Sequence, residues 1–135
     1  MEDCIFCKII KGEIPSQKVY EDEETCAFLD IRPTNVGHTL VVPKKHTGDI
    51  FTIPEETLCS VIRTAKKICK AVKIGVNADG INIIMNNEAA AGQLVFHSHL
   101  HIIPRFLTDG LKHWGHKDYE PGQEEETAQK IISNL

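Results

Sequence analysis

Apolar residues recur along this chain in two rhythms. Short apolar-rich runs at 18–21, 25–29, 38–42 and 81–86 are of strand length and are bounded by turn residues such as Asp22-Glu-Glu24, Pro33, Gly37, Pro43 and Asn77-Ala-Asp-Gly80. A different spacing joins Leu58, Val61, Ile62, Ala65, Ile68 and Val72, which fall on one face of a helix running from about 53 to 75. Thr52 with Glu55 three residues on predicts a capping box, and Gly75 closes the helix. Arg63, Lys66, Lys67 and Lys70 lie on the opposite face, which is expected to meet solvent. A short helix over Cys4–Lys11 has an apolar stripe of Ile5, Phe6, Ile9 and Ile10 and stops at Gly12. From 124 to 135 a terminal helix carries acids in its first turn, where the helix dipole favours them.

The remaining run, Leu94 to Ile103, reads as a fifth strand. Side chains alternate between the faces of a strand, so Leu94, Phe96, Ser98, Leu100 and Ile102 share one face. His97, His99 and His101 share the other, spaced by roughly 7 Å, beside Val95 and Ile103. Five strands with one long helix and hairpin-length connections predict an α+β fold: an antiparallel sheet of about five strands, one long helix packed on it, and short terminal helices. A single domain over 1–135 is expected, with its core at about 3–106 and a tail and helix at 107–135.

Composition narrows the class. Apolar residues make up 41% and charged residues 25%, ordinary for a globular protein. No apolar run has the length of a membrane span, and no basic-then-apolar leader opens the chain, so a cytoplasmic protein without a membrane partner is expected. A net charge of −4 argues against a broad nucleic-acid footprint and leaves room for a nucleotide held by local groups. The five cysteines do not read as a disulfide framework; Cys26, Cys59 and Cys69 sit in apolar patterns as small buried hydrophobes. Cys4 and Cys7 lie on one face of the first helix, and the pair alone is compatible with a redox pair, half a zinc site or two buried thiols. Only three residues precede Cys4, so the strand that normally introduces a redox pair is missing.

Three histidines at alternate positions in an apolar run point to chemistry, because imidazole is a proton carrier, a nucleophile and a metal ligand near neutral pH. His97-Ser-His-Leu-His-Ile-Ile103 resembles the signature of the histidine-triad (HIT) family, with Ser98 in a place where an apolar residue is usual. Cys4-Ile-Phe-Cys-Lys-Ile9, Ala27-Phe-Leu-Asp-Ile-Arg-Pro33, Gly37 to His46 and Ile81 to Arg105 extend the resemblance to the family's nucleotide-binding branch, over about residues 3–106.

The resemblance implies hydrolysis or transfer at the α-phosphate of a purine nucleotide through a covalent nucleotidyl-histidine, with nucleoside monophosphoramidates as the leading substrate class and AMP or GMP released. His99 would be the nucleophile, His101 would stabilise the phosphate, and His38 would bind phosphate or relay a proton. Asp30 would accept from the ribose, Phe28 and Ile31 would line the base pocket, Asn86 would reach the phosphate, and Gln93 would lie near the phosphate or leaving group. Leu94 stands where phosphoramidase relatives carry serine, which bears on the leaving group. The resemblance also implies a structural zinc on Cys4, Cys7, His46 and His97, and a homodimer. Two other functions fit the same residues: a dinucleoside polyphosphate hydrolase, and a nucleotide-binding regulatory or scaffold protein. His113, His116 and Trp114 belong to the tail.

Overall fold

Residues 3–135 are described by the computed structural model. Five strands pair in antiparallel ladders: β1 (Lys18–Glu21), β2 (Thr25–Leu29), β3 (Thr39–Pro43), β4 (Gly80–Ile84) and β5 (Leu100–Arg105). Their order across the sheet is β1-β2-β3-β5-β4, so the crossover from β3 to β4 passes over the sheet and β5 returns between them. That crossover is the long helix α2 (Glu55–Gly75); α1 (Ile5–Ile10) precedes the sheet and α3 (Gln123–Ile132) ends the chain. The architecture is α+β, as the sequence predicts. None of the described helices is long and apolar enough to cross a membrane.

Strand alternation sorts the sheet into two faces. Ala27, Val41, Leu100 and Ile102 meet Val61, Ala65 and Ile68 of α2 in one cluster. Burial removes these surfaces from water and supplies most of the driving force for this layer. Cys26, Phe28, Leu40 and Val42 point the other way and are covered by Phe6 and Ile9 of α1. His101 lies opposite Leu40 in the β3–β5 ladder and so belongs to this second face. One face is thus sealed by a helix of 21 residues, and the other by a helix of 6, which leaves it room for a site.

Five expectations differ from the structure. The run 94–99 is not strand: β5 begins only at Leu100. Pro43 ends the partner strand, and its carbonyl is occupied by the His97 ring at 2.8 Å rather than by a ladder amide. Leu94 and Phe96, placed on a core face by strict alternation, are 89% and 57% exposed, while Val95 takes the place against the α1 cluster. The capping box is absent: the Thr52 hydroxyl bonds the Asp49 carboxylate at 2.9 Å, and α2 starts after an extended Pro54 with no side-chain cap. Cys59 is exposed, and Ile62 is half exposed. The buried stripe of α2 is Ser60, Val61, Thr64, Ala65 and Ile68, narrower than the apolar pattern. A polar member is tolerated in it because Thr64 shares a 2.7 Å hydrogen bond with Thr25 of β2.

Gly37, which turns the chain into β3, has φ of +101°. A Cβ there would stand 2.8 Å from Val76 Cγ1. Gly75 has no such constraint, with nothing within 4 Å of a built Cβ and a helical backbone. Gly37→Ala should destabilise the protein by about 1–3 kcal/mol. Gly75→Ala should stabilise it by about 0.5–1 kcal/mol. Equilibrium denaturant unfolding of the two variants checks both signs.

Candidate active site and metal centre

The α1 face of the sheet gathers histidines from three segments. Burial of each ring disfavours its charged form, so each pKa falls. His38, immediately before β3, is buried; burial lowers its pKa, against the pull of Asp30. Its Nε2 lies 2.9 Å from His101 Nδ1 and 3.7 Å from Asp30 Oδ2. His101, on β5, is pushed down to about 4, first by burial and then by the neighbouring His99 and His38 rings. The His99 and His101 rings meet edge to face with centroids 4.8 Å apart. That is closer than side chains two apart on a strand stand, because 97–99 has left the ladder.

His99 is buried, and its Nδ1 lies 2.6 Å from the carbonyl oxygen of His97. A carbonyl can only accept, so Nδ1 carries the proton and donates. Nε2 of the neutral ring is then an unprotonated nitrogen. Burial lowers the His99 pKa, only partly offset by that same hydrogen bond, so the neutral form dominates near pH 7. Phe6 of α1 stands edge-on to this ring at 5.1 Å and to Phe28 at 5.4 Å. Phe6 thereby fixes both the His99 ring and the floor beside it. The sequence pattern gave Phe6 only as part of an apolar stripe.

His97 turns away from the other two. Its ring is fully buried, and Nε2 donates to the Pro43 carbonyl, which leaves the Nδ1 lone pair free. Nδ1 faces Cys4 Sγ at 3.4 Å and Cys7 Sγ at 3.6 Å, and His46 Nδ1 is 3.4 Å from Cys7 Sγ. All four ligand atoms lie within 4.8 Å of one another and could hold a metal ion. Zinc bonds of about 2.0–2.3 Å in a tetrahedron give ligand–ligand edges of about 3.3–3.8 Å, and the three sulfur–nitrogen spacings of 3.4, 3.4 and 3.6 Å fall there. The second shell also fits, because a ligating histidine characteristically donates its other N–H to a carbonyl or carboxylate. Burial and the adjacent Cys4 raise the Cys7 thiol pKa. A bound cation would reverse this by favouring the thiolate.

The remaining residues singled out from the sequence are distributed around this face. Asp30 follows β2; its Oδ1 accepts from the Arg32 amide at 2.8 Å and its other oxygen faces His38. Phe28 is buried beneath Phe6, whereas Ile31 is 93% exposed at the rim. Asn86 lies just after β4, close to the turn at Gly92. Gln93 is buried, and its amide is already committed: it donates to the Gly48 and Val95 carbonyls and accepts from the Glu88 amide. It braces the loop that carries the chain into His97. His113, Trp114 and His116 are exposed.

A cluster that the sequence did not reveal stands beside the site. Arg105 bonds Asp109 through Nε at 2.8 Å and Asn82 at 2.7 Å. Asp109 also accepts from Asn35 and from the amides of Phe106 and Leu111. The Arg105 hydrogen bond, with those amides, holds the Asp109 carboxyl well below the usual carboxylate range. An Arg and an Asp four apart at a strand end have no sequence signature that separates them from surface charge.

Comparisons with known proteins agree with this geometry. A family model described as the HIT domain matches residues 11–108. An uncharacterized HIT-like protein of Methanocaldococcus jannaschii is 55% identical over 107 residues, covering 79% of this chain and 82% of its own. An adenosine 5'-monophosphoramidase of Candida albicans is 43% identical over 106 residues, covering 76% of this chain and 70% of its own. An adenylylsulfatase of Arabidopsis thaliana is 42% identical over 109 residues, covering 81% of this chain and 55% of its own. Among solved structures, a HIT-family protein of Bacillus subtilis superposes with a TM-score of 0.91 at 41% identity, covering 98% of this chain and 97% of its own. A zinc-bound histidine-triad protein of Mycobacterium smegmatis gives 0.79 at 39% identity, covering 99% of each. By its sequence, its sheet and the histidines gathered on one face of that sheet, this chain belongs to the HIT family.

Proposed function

We propose that this protein is a nucleotide hydrolase that acts at the α-phosphate of purine nucleotides through a covalent nucleotidyl-histidine on His99. The observation that carries the reading is the 2.6 Å hydrogen bond from His99 Nδ1 to the His97 carbonyl, which leaves Nε2 unprotonated beside His101. In the first step Nε2 bonds to phosphorus and the P–O or P–N bond to the leaving group breaks, the leaving group taking a proton from solvent that the attacking water returns in the second step. In the second step water attacks phosphorus, the N–P bond breaks, and the nucleoside monophosphate leaves with His99 restored. One difficult displacement becomes two easier ones.

His101 stabilises the charge that develops on the phosphoryl oxygens. Asp30 receives the ribose hydroxyls, and Phe28 and Ile31 bound the base. Asn86 reaches the phosphate, and Gln93 acts through the loop it braces. The relatives named as an adenosine 5'-monophosphoramidase and an adenylylsulfatase share an adenylyl group and differ in what leaves. This chain is accordingly assigned the phosphoramidate first, with Leu94, exposed at the mouth of the loop, as a residue that tunes the leaving group. The assignment includes a homodimer, supported by the open outer edge of β4 and its half-exposed Ile83.

The metal centre is assigned to zinc, held by Cys4, Cys7, His46 and His97. Four protein ligands close the tetrahedron and leave no position for substrate, so its role is structural. It ties α1 to the segment whose carbonyl orients His99.

His99→Ala should abolish release of AMP from adenosine 5'-phosphoramidate while AMP binding and the circular dichroism spectrum persist; retained turnover would rule out His99 as nucleophile. Protein purified without chelator should contain one zinc per chain, and Cys7→Ser should lose most of it; plasma emission spectrometry reads both. The pH dependence of stability follows from His101. Its folded pKa of about 4 lies below the ordinary 6.5, so the unfolded chain binds the extra proton. Stability from this group is complete above about 6.5 and is lost as pH falls from there toward 4. Denaturant midpoints for wild type should fall across that window, and the fall should be shallower in His101→Gln.

A further inference from the structure

We propose that the main-chain N–H of Thr34 fixes the proton order of the His38–His101 pair, and that Asn35 is the positioning residue that holds this amide in place. The inference rests on the proposed function only in supposing that a phosphate meets His101.

The Thr34 amide donates to His38 Nδ1 at 3.0 Å. An amide N–H cannot accept, so Nδ1 of His38 must be the unprotonated nitrogen of the ring. The proton of neutral His38 then sits on Nε2. Asp30 Oδ2, 3.7 Å from that atom, favours the same placement. His38 Nε2–H therefore donates to His101 Nδ1 across 2.9 Å. With Nδ1 accepting, the proton of neutral His101 is on Nε2, which has no hydrogen-bond partner among the described residues. One backbone amide thus orients two rings, and the second presents a donor outward.

The direction of the relay has a chemical consequence. A phosphoryl oxygen only accepts, so His101 Nε2–H attracts it, whereas the reversed tautomer would face it with a lone pair. The same order separates the two histidine clusters of this face. Asp30, His38 and His101 also bring their ligand atoms within 4.8 Å of one another. There the Thr34 amide places a proton on His38 Nε2, the atom a cation would need. At the cysteine cluster the Pro43 carbonyl takes the proton of His97 and leaves the ligating nitrogen bare.

The loop is built to hold the amide still. The Asn35 side chain donates to the Pro104 carbonyl at 2.8 Å and to Asp109 Oδ2 at 3.2 Å. Its own carbonyl accepts from the His38 amide at 3.0 Å. Asp109 is in turn fixed by Arg105. The ion-paired cluster at the end of β5, which touches no catalytic histidine directly, reaches the site through Asn35 and Thr34.

The test is nitrogen-15 NMR of the histidine side chains in the ligand-free, zinc-loaded protein, with a variant in which Thr34 is replaced by its α-hydroxy acid, exchanging the N–H donor for an ester oxygen. In wild type, His38 and His101 should both show an unprotonated Nδ1 and a protonated Nε2. The ester should give a mixture of tautomers at both rings, and kcat for adenosine 5'-phosphoramidate should drop by roughly ten- to a hundredfold. Asn35→Ala should shift the same resonances in the same direction. A protonated Nδ1 on His38 in wild type would overturn the proposal without any variant, as would an ester with an unchanged tautomer pattern; an unchanged pattern in Asn35→Ala would remove Asn35 from it. Addition of AMP separates this inference from the nucleotide reading. The wild-type tautomer pattern with no AMP-induced shift at His101 Nε2 would leave the lock standing and remove the nucleotide.

Discussion

The hydrogen bond from the His99 ring to the carbonyl two residues before it is the constraint on which the site depends. It is short, at 2.6 Å, and local in sequence, yet it exists only because the backbone at 97–99 has left the sheet. On a regular strand the carbonyl of residue 97 would lie in the ladder and the ring of residue 99 would stand away from it. Three interactions hold the departure: the His97 ring on the Pro43 carbonyl, the Ser98 amide on the Thr47 carbonyl, and the approach of His97 to the cysteines of α1. The first two engage a main-chain acceptor and a main-chain donor that would otherwise have extended β5, and the third anchors the His97 side chain.

The sheet converts this local arrangement into a rigid one. α2 seals one face with a largely apolar layer, so the strands that carry His38 and His101 are set by packing remote from any ligand. The other face is covered only by α1, whose Phe6 touches both His99 and Phe28. Asp30, His38, His101 and His99 then follow one another along that face. Burial keeps the rings neutral, and fixed donors and acceptors decide where each proton resides. Proton placement here is set more by main-chain groups of Thr34, Pro43 and His97 than by neighbouring charge.

That dependence explains what could be read from the sequence. The four strands with clear apolar runs and the long helix were legible, because periodicity records which face is buried. The residues Asp30, His38, His99 and His101, singled out through a family resemblance, stand together in the structure, as do Cys4, Cys7, His46 and His97. The fifth strand was read as starting six residues too early. Alternation predicted Leu94 and Phe96 in the core, and nothing in a one-dimensional pattern reports that Pro43 gives its carbonyl to an imidazole. The cap of α2 failed for a similar reason, since Thr52 had a nearer partner in Asp49. Thr34, Asn35 and Asp109 were invisible: backbone donors have no sequence signature, and an amide and a carboxylate in loops read as turn residues.

The most direct test of the account is single-turnover mass spectrometry of the zinc-loaded protein with adenosine 5'-phosphoramidate, quenched in base because phosphoimidazole linkages are acid-labile. An adduct of one adenylyl group on His99, absent from His99→Ala, is the predicted result. An adduct mapped to another residue would contradict the role assigned to the His99–His97 hydrogen bond.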